Sequence, residues 1–157
     1  MRRLPRLRMI GTTALAFLAQ AVPLPYFLGI VRPAFAVIAV IFWSLAAPRL
    51  GGIALGFATG LALDVVRGTV LGQHALATAL VAYVAIRQHL LVRNKSVLDQ
   101  MIFCGALLLL WELAVWIIEA FTGQADSHWT RWLPILPGAL LWPLLVDRLA
   151  LETRAQR

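Results

Sequence analysis

Six polar side chains in this sequence are of types that do chemistry, and they fall into two groups. Asp64, Arg67, Gln73 and His74 lie within eleven positions, and Glu112 and Glu119 stand seven residues apart. An aspartate in hydrogen-bond reach of a histidine can serve acid–base or nucleophilic chemistry. Two carboxylates at a spacing of seven share a helix face, where they form ion pairs or line a polar cavity. Metal chemistry has no such footing. His74, His89 and His128 are scattered and Cys104 is the single cysteine, so neither a zinc site nor a disulfide within one chain can be built. Cys104 lies in an apolar run and reads as a small packing residue. No nucleophile elbow, zinc-protease helix or phosphate-binding glycine loop is present. The sequence therefore assigns no catalytic residue, no metal and no cofactor, and Asp64 with His74 is the only plausible acid–base pair.

The elements that position these residues are apolar. The chain has 157 residues, 61% hydrophobic and 13% charged, with a mean hydropathy of +0.83. Soluble domains carry nearer a quarter charged residues, so the composition describes an all-α polytopic membrane protein forming one bundle. Crossing a core of about 30 Å takes roughly 20 helical residues, and the apolar runs are too long for barrel strands. About six spans are expected, over 9–29, 33–47, 50–66, 70–92, 97–121 and 132–150. Pro23 and Pro25 close the first run, Pro33 opens the second and Pro48 closes it, while Pro134, Pro137 and Pro143 break the last. The second and third are short enough to be either full crossings or a re-entrant pair, and full crossings sort the charges better. Residues 2–8 with Ala19-Gln20-Ala21 also mimic a cleaved signal peptide, but the charge pattern needs no cleavage.

Orientation follows from the cations. With the N-terminus inside and the spans alternating, eleven of the 14 lysines and arginines face the cytoplasm, leaving Arg32, Arg67 and Arg131 outside. In loops this short that asymmetry places both termini in the cytoplasm. The net charge of +7 is thereby explained by topology, and no basic stripe interleaved with aromatics suggests nucleic acid.

Depth then gathers the polar residues. Asp64 lies about 21 Å along the third span, Arg67 follows one turn later, Gln73 and His74 open the fourth, and Glu119 nears the outer end of the fifth. With Arg32 they form an outer-side layer, and Glu112 falls closer to mid-membrane. An ionisable group there costs roughly 2.5–3.5 kcal/mol on insertion scales and calls for a partner or a cavity. A structural reading pairs Asp64 with Arg67 or Arg32 and gives His74 a carboxylate. A second reading is a cavity for a ligand or for a partner's polar segment. A proton relay is the third, although no titratable chain continues to the inner face. Gly52, Gly56, Gly60, Gly68 and Gly72, with Ala75, Ala79 and Ala82, supply small faces that let helices approach closely, for packing the third span on the fourth or for a partner. Trp129 and Trp132 fall near the outer interface, where such rings anchor.

Arg32-Pro33, the Trp43–Pro48 segment, Gly56-Phe57, Gly60-Leu61-Ala62-Leu63-Asp64, Gly68-Thr69-Val70-Leu71-Gly72, Ala75-Leu76-Ala77 and Gly138-Ala139-Leu140-Leu141-Trp142-Pro143 together resemble the bacterial rod shape-determining protein MreD family. The resemblance runs from about residue 30 onward, and its most specific part is the Gly60–Asp64–Gly68–Gly72 block. It implies a non-enzymatic subunit of the inner membrane acting in lateral wall synthesis. It further implies MreC as partner, with MreB filaments, RodA and a penicillin-binding transpeptidase in the wider complex. The family's fold is similar to the substrate-binding subunits of energy-coupling-factor transporters, and Asp64 with its glycines are the positions carried over. Residues 1–29 match only in character, and Glu112 and Glu119 stand outside the matched motifs. The competing expectation is a substrate-binding membrane subunit of a small-molecule transporter.

Overall fold

Proline and glycine positions divide the chain into helices, as a computed structural model of residues 3–23, 25, 29–125 and 128–154 shows. All regular structure among these residues is helical: α1 (Arg3–Ala21), α2 (Phe35–Ala46), α3 (Ile53–Arg67), α4 (Gln73–Arg93), α5 (Val97–Thr122), a 3-10 turn (Trp129–Trp132), α6 (Ile135–Leu140) and α7 (Trp142–Arg154). The end of the first expected span, at residues 24 and 26–28, lies outside the described residues.

α2 is the central element. It is apolar all round, as a helix surrounded by protein must be, and nearly all of it is buried. α1, α3, α4, α5 and α7 all pack against it. Its first turn would leave an orphan N–H, and Gln20 of α1 supplies an acceptor to Ala36 N at 2.9 Å. Lower on the same pair, Trp43 Nε1 donates to Thr12 Oγ1 at 2.8 Å. α1 and α2 are thus antiparallel neighbours held by hydrogen bonds as well as by packing.

α3 and α4 form the most extensive helix pair, and small residues make it possible. A Cβ on Gly60 would lie 2.4 Å from His74 O, and one on Gly56 would lie 2.8 Å from Thr78 O. The two backbones touch where a side chain would separate them. α5 begins at Ser96, whose hydroxyl accepts from Asp99 N and donates to the Asp99 carboxylate, and it stops at Gly123 in the left-handed region.

The last apolar run is not one helix. Pro134 caps α6, Pro137 sits in its first turn, and Pro143 sits in the first turn of α7. Each occupies a position where a missing N–H is tolerated, so three prolines cut the segment into short pieces without leaving it irregular. Gly138 presses on Leu108 and Ile38, and Trp142, fully buried, donates from Nε1 to Gln100 at 3.3 Å.

Among the described residues, α4 and α5 are long and apolar enough to cross a bilayer by length and composition. α2, with 12 residues, reaches only about 18 Å, and α3, with 15, only about 22 Å. Much of the outward surface is aliphatic or aromatic, including Leu15, Val65, Leu76, Ile102, Phe121 and Leu144.

Candidate functional site

The C-terminal end of α3, the N-terminal end of α4, the second half of α5 and the 3-10 turn meet at one end of the bundle, and the polar residues meet with them. Asp64 lies in the last turn of α3 and is fully buried. Gly68 ends that helix in the left-handed region, and Gly72, at φ 102°, starts the next. This five-residue loop brings the N-terminus of α4 back over Asp64.

The N-cap of α4 is a glycine with no side chain to offer, so its first N–H groups need acceptors from elsewhere. Asp64 provides most of them. Its Oδ2 accepts from Gly72 N at 2.9 Å and Ala75 N at 3.3 Å, and its Oδ1 accepts from His74 N at 2.8 Å. Gln73 N is taken by Val70 O. The carboxylate therefore caps a helix to which it does not belong, with the helix dipole favouring its charge there. Oδ1 also receives the Thr69 hydroxyl at 3.0 Å and lies 2.8 Å from His74 Nδ1.

That contact sets the histidine's tautomer. A carboxylate only accepts, so Nδ1 carries the proton and donates to Asp64. Nε2 is then an acceptor, and Arg67 Nη1 donates to it at 3.0 Å. The guanidinium also lies 6.0 Å from the centroid of the Trp111 ring, and Trp111 Nε1 reaches Thr78 Oγ1, whose own hydroxyl donates to His74 O.

A second group adjoins the first through Gln73. Its amide donates to Glu119 Oε1 at 2.9 Å. Arg131, from the 3-10 turn, donates from Nη1 to Glu119 Oε2 and from Nε to Glu112 Oε1, each at 2.8 Å. All three charged side chains are mostly buried. One guanidinium thus spans two carboxylates two helical turns apart and ties the segment after α5 back onto it.

The expected pairing of Asp64 with Arg67 or Arg32 is replaced by another arrangement. The aspartate's acceptor sites are filled by backbone N–H groups, Thr69 and His74. Arg67 serves His74 instead. Arg32 turns to the end of α1, where it donates to the carbonyls of Val22 and Ala19, a favourable place for a cation because helix C-termini carry partial negative charge. Glu112, expected deeper than the layer, is drawn into it by Arg131. Gly60 underlies the site as the contact that holds α3 against His74, while Gly68 and Gly72 shape the loop. Thr69 and Arg131 were not expected as members. Thr69 sits inside the Gly68–Gly72 loop five residues after Asp64, a spacing that could have signalled it, whereas nothing in the pattern links Arg131 to two acids upstream.

Among the described residues, the buried donors and acceptors of this cluster are matched within the protein except Gln73 Oε1. Acid–base work needs a titratable pair open to a substrate, and Asp64 and His74 are both covered. Such an interior, wrapped in apolar helices, is that of a small helical membrane protein whose polar network holds helices together.

The comparisons narrow the class. Residues 1–150 match the family described as rod shape-determining protein MreD. The chain is 30% identical over 129 residues to the rod shape-determining protein MreD of Haemophilus influenzae, an alignment covering 82% of this chain and 80% of that one. No solved structure matches. The chain belongs to the MreD family of bacterial membrane proteins, a structural and non-enzymatic family involved in rod shape determination and wall organisation.

Proposed function

We propose that this protein is a scaffold of the cell-elongation machinery in the bacterial inner membrane, crossing it six times with both termini in the cytoplasm. It binds MreC, and through it helps couple MreB filaments to the lateral peptidoglycan synthesis of RodA and the elongation transpeptidase. The observation that carries this reading is the division of the molecule's surface. Apart from Arg67, which is exposed, the polar groups of the cluster are mostly covered and bonded to one another, while the outward faces of α3 and α5 are largely apolar. A protein built this way acts through helix faces and short loops, as a scaffold does. The alternative, a substrate-binding transporter subunit similar to those of energy-coupling-factor systems, needs unfilled buried donors and acceptors converging on a cavity, and among the described buried atoms of the cluster Gln73 Oε1 is the one that has no partner.

Co-expression with its MreC partner and purification in mild detergent tests the scaffold. Co-elution as a stable complex is the expected result; consistent separation of the two proteins rejects the assignment. A small molecule retained through the same purification would favour the transporter subunit instead.

A further inference from the structure

Away from the polar cluster, α1 and α7 both pack on α2 but make little contact with each other. The gap between them is a cavity of about 690 Å³, within the range of roughly 300–1,000 Å³ typical of ligand pockets. Its walls are largely apolar, formed by Ala16, Phe35, Ala39 and Leu144 among others, and it is lined also by Arg8 and Arg148. Helix directions put both arginines at the same end. α1 and α2 are antiparallel, with Gln20 beside Ala36 and Thr12 beside Trp43, so Arg8 lies toward the C-terminal end of α2. α7 descends from Trp142, anchored on Gln100 near the start of α5, toward that same end. Thr12, the other polar side chain on the wall, already accepts from Trp43 and donates to Arg8 O.

We infer that this groove binds an anionic phospholipid of the cytoplasmic leaflet, its phosphate held by Arg8 and Arg148 and an acyl chain lying between α1 and α7. Arg8 also has a contact within the chain, but a guanidinium carries five donors. Together with Arg148 it gives the mouth of the groove a basic character of the kind by which pockets between helices on the cytoplasmic side recognise anionic lipids. Length selects the tail. From Arg8 to Ala16 the wall runs about 12 Å, close to half of a hydrocarbon core of about 30 Å. That suits one leaflet's lipid, whereas a partner's spanning helix would need a seat of twice the length. The inference rests on the membrane-spanning, N-inside reading but on no protein partner.

Native mass spectrometry of the full chain in mild detergent, with phosphatidylglycerol or phosphatidylcholine of matched chains added, tests it. The unmodified protein should retain phosphatidylglycerol at least tenfold more strongly. Arg8→Gln with Arg148→Gln should erase that preference, and Ala39→Phe, which fills the groove but leaves both cations, should weaken retention of both lipids. Equal retention of the two lipids by the unmodified protein overturns the proposal, as does an undiminished preference in the double variant. Leu144→Cys that cross-links in membranes to another protein's helix would assign the groove to that helix and overturn it too.

Discussion

Asp64 shows how one carboxylate can be indispensable without being reactive. It is fully buried, yet it receives three backbone N–H groups, a hydroxyl and an imidazole N–H. Removing it by Asp64→Ala strands these donors, and at about 1–3 kcal/mol for each buried unsatisfied group the loss should exceed roughly 3 kcal/mol even with relaxation. The expected readout is a lower unfolding temperature in detergent and less protein in the membrane. Asp64→Lys should be at least as damaging, since it aims a cation at the positive end of α4; accumulation at the normal level would refute the capping role. Arg131 permits a sharper test. Arg131→Gln removes the cation that bridges Glu112 and Glu119, which should cost about 3 kcal/mol, the low end for breaking a buried pair because all three side chains keep some exposure. Adding Glu112→Gln and Glu119→Gln should restore part of that stability. A triple variant no more stable than Arg131→Gln alone would show that the bridge is not what Arg131 contributes.

Between elements, the α3–α4 contact depends on missing side chains. Gly60→Ala puts a Cβ 2.4 Å from a backbone oxygen that cannot yield, so the helices must part, at a cost of about 3 kcal/mol, the upper part of the usual range for overpacking. Gly105→Ala meets only the Ala139 Cβ at 3.3 Å, and Gly11→Ala meets nothing within 4 Å. Thermal melts should therefore rank Gly60→Ala well below Gly105→Ala, with Gly11→Ala close to the unmodified protein; an indifferent Gly60→Ala would mean that the pair is looser than described. This face was legible in the sequence because Gly52, Gly56 and Gly60 recur at helical spacing. Depth arithmetic likewise put Asp64, Arg67, Gln73, His74, Glu119 and Arg32 on one level; the structure links the first five by hydrogen bonds, while Arg32 bonds to the end of α1 instead. The partners were less legible. Asp64 binds mainly backbone N–H groups, which every sequence contains, so residue types suggested an arginine in their place. Arg131 reaches its acids from a 3-10 turn beyond a loop, where no periodicity connects it to α5. The short helices around Pro134, Pro137 and Pro143 were visible as breaks, but only packing on α2 and α5 decided where each piece would lie.

For the whole molecule, the largely apolar exterior and the mostly buried polar network describe a protein whose solvent is lipid. The proposed roles all depend on which end of the bundle faces out. The polar cluster must lie on the periplasmic side and the groove with Arg8 and Arg148 on the cytoplasmic side for the scaffold to meet MreC and the inner-leaflet lipid as described. Two exposed loop positions report this directly: Gln124, just beyond α5 near the cluster, and Asn94, between α4 and α5 at the opposite end. Each can carry a lone cysteine in a Cys104→Ala background and be exposed to a membrane-impermeant maleimide in intact cells. The account predicts labelling of Gln124→Cys in intact cells and of Asn94→Cys only after the membrane is permeabilised. Labelling of Asn94→Cys in intact cells, with Gln124→Cys protected, would contradict it.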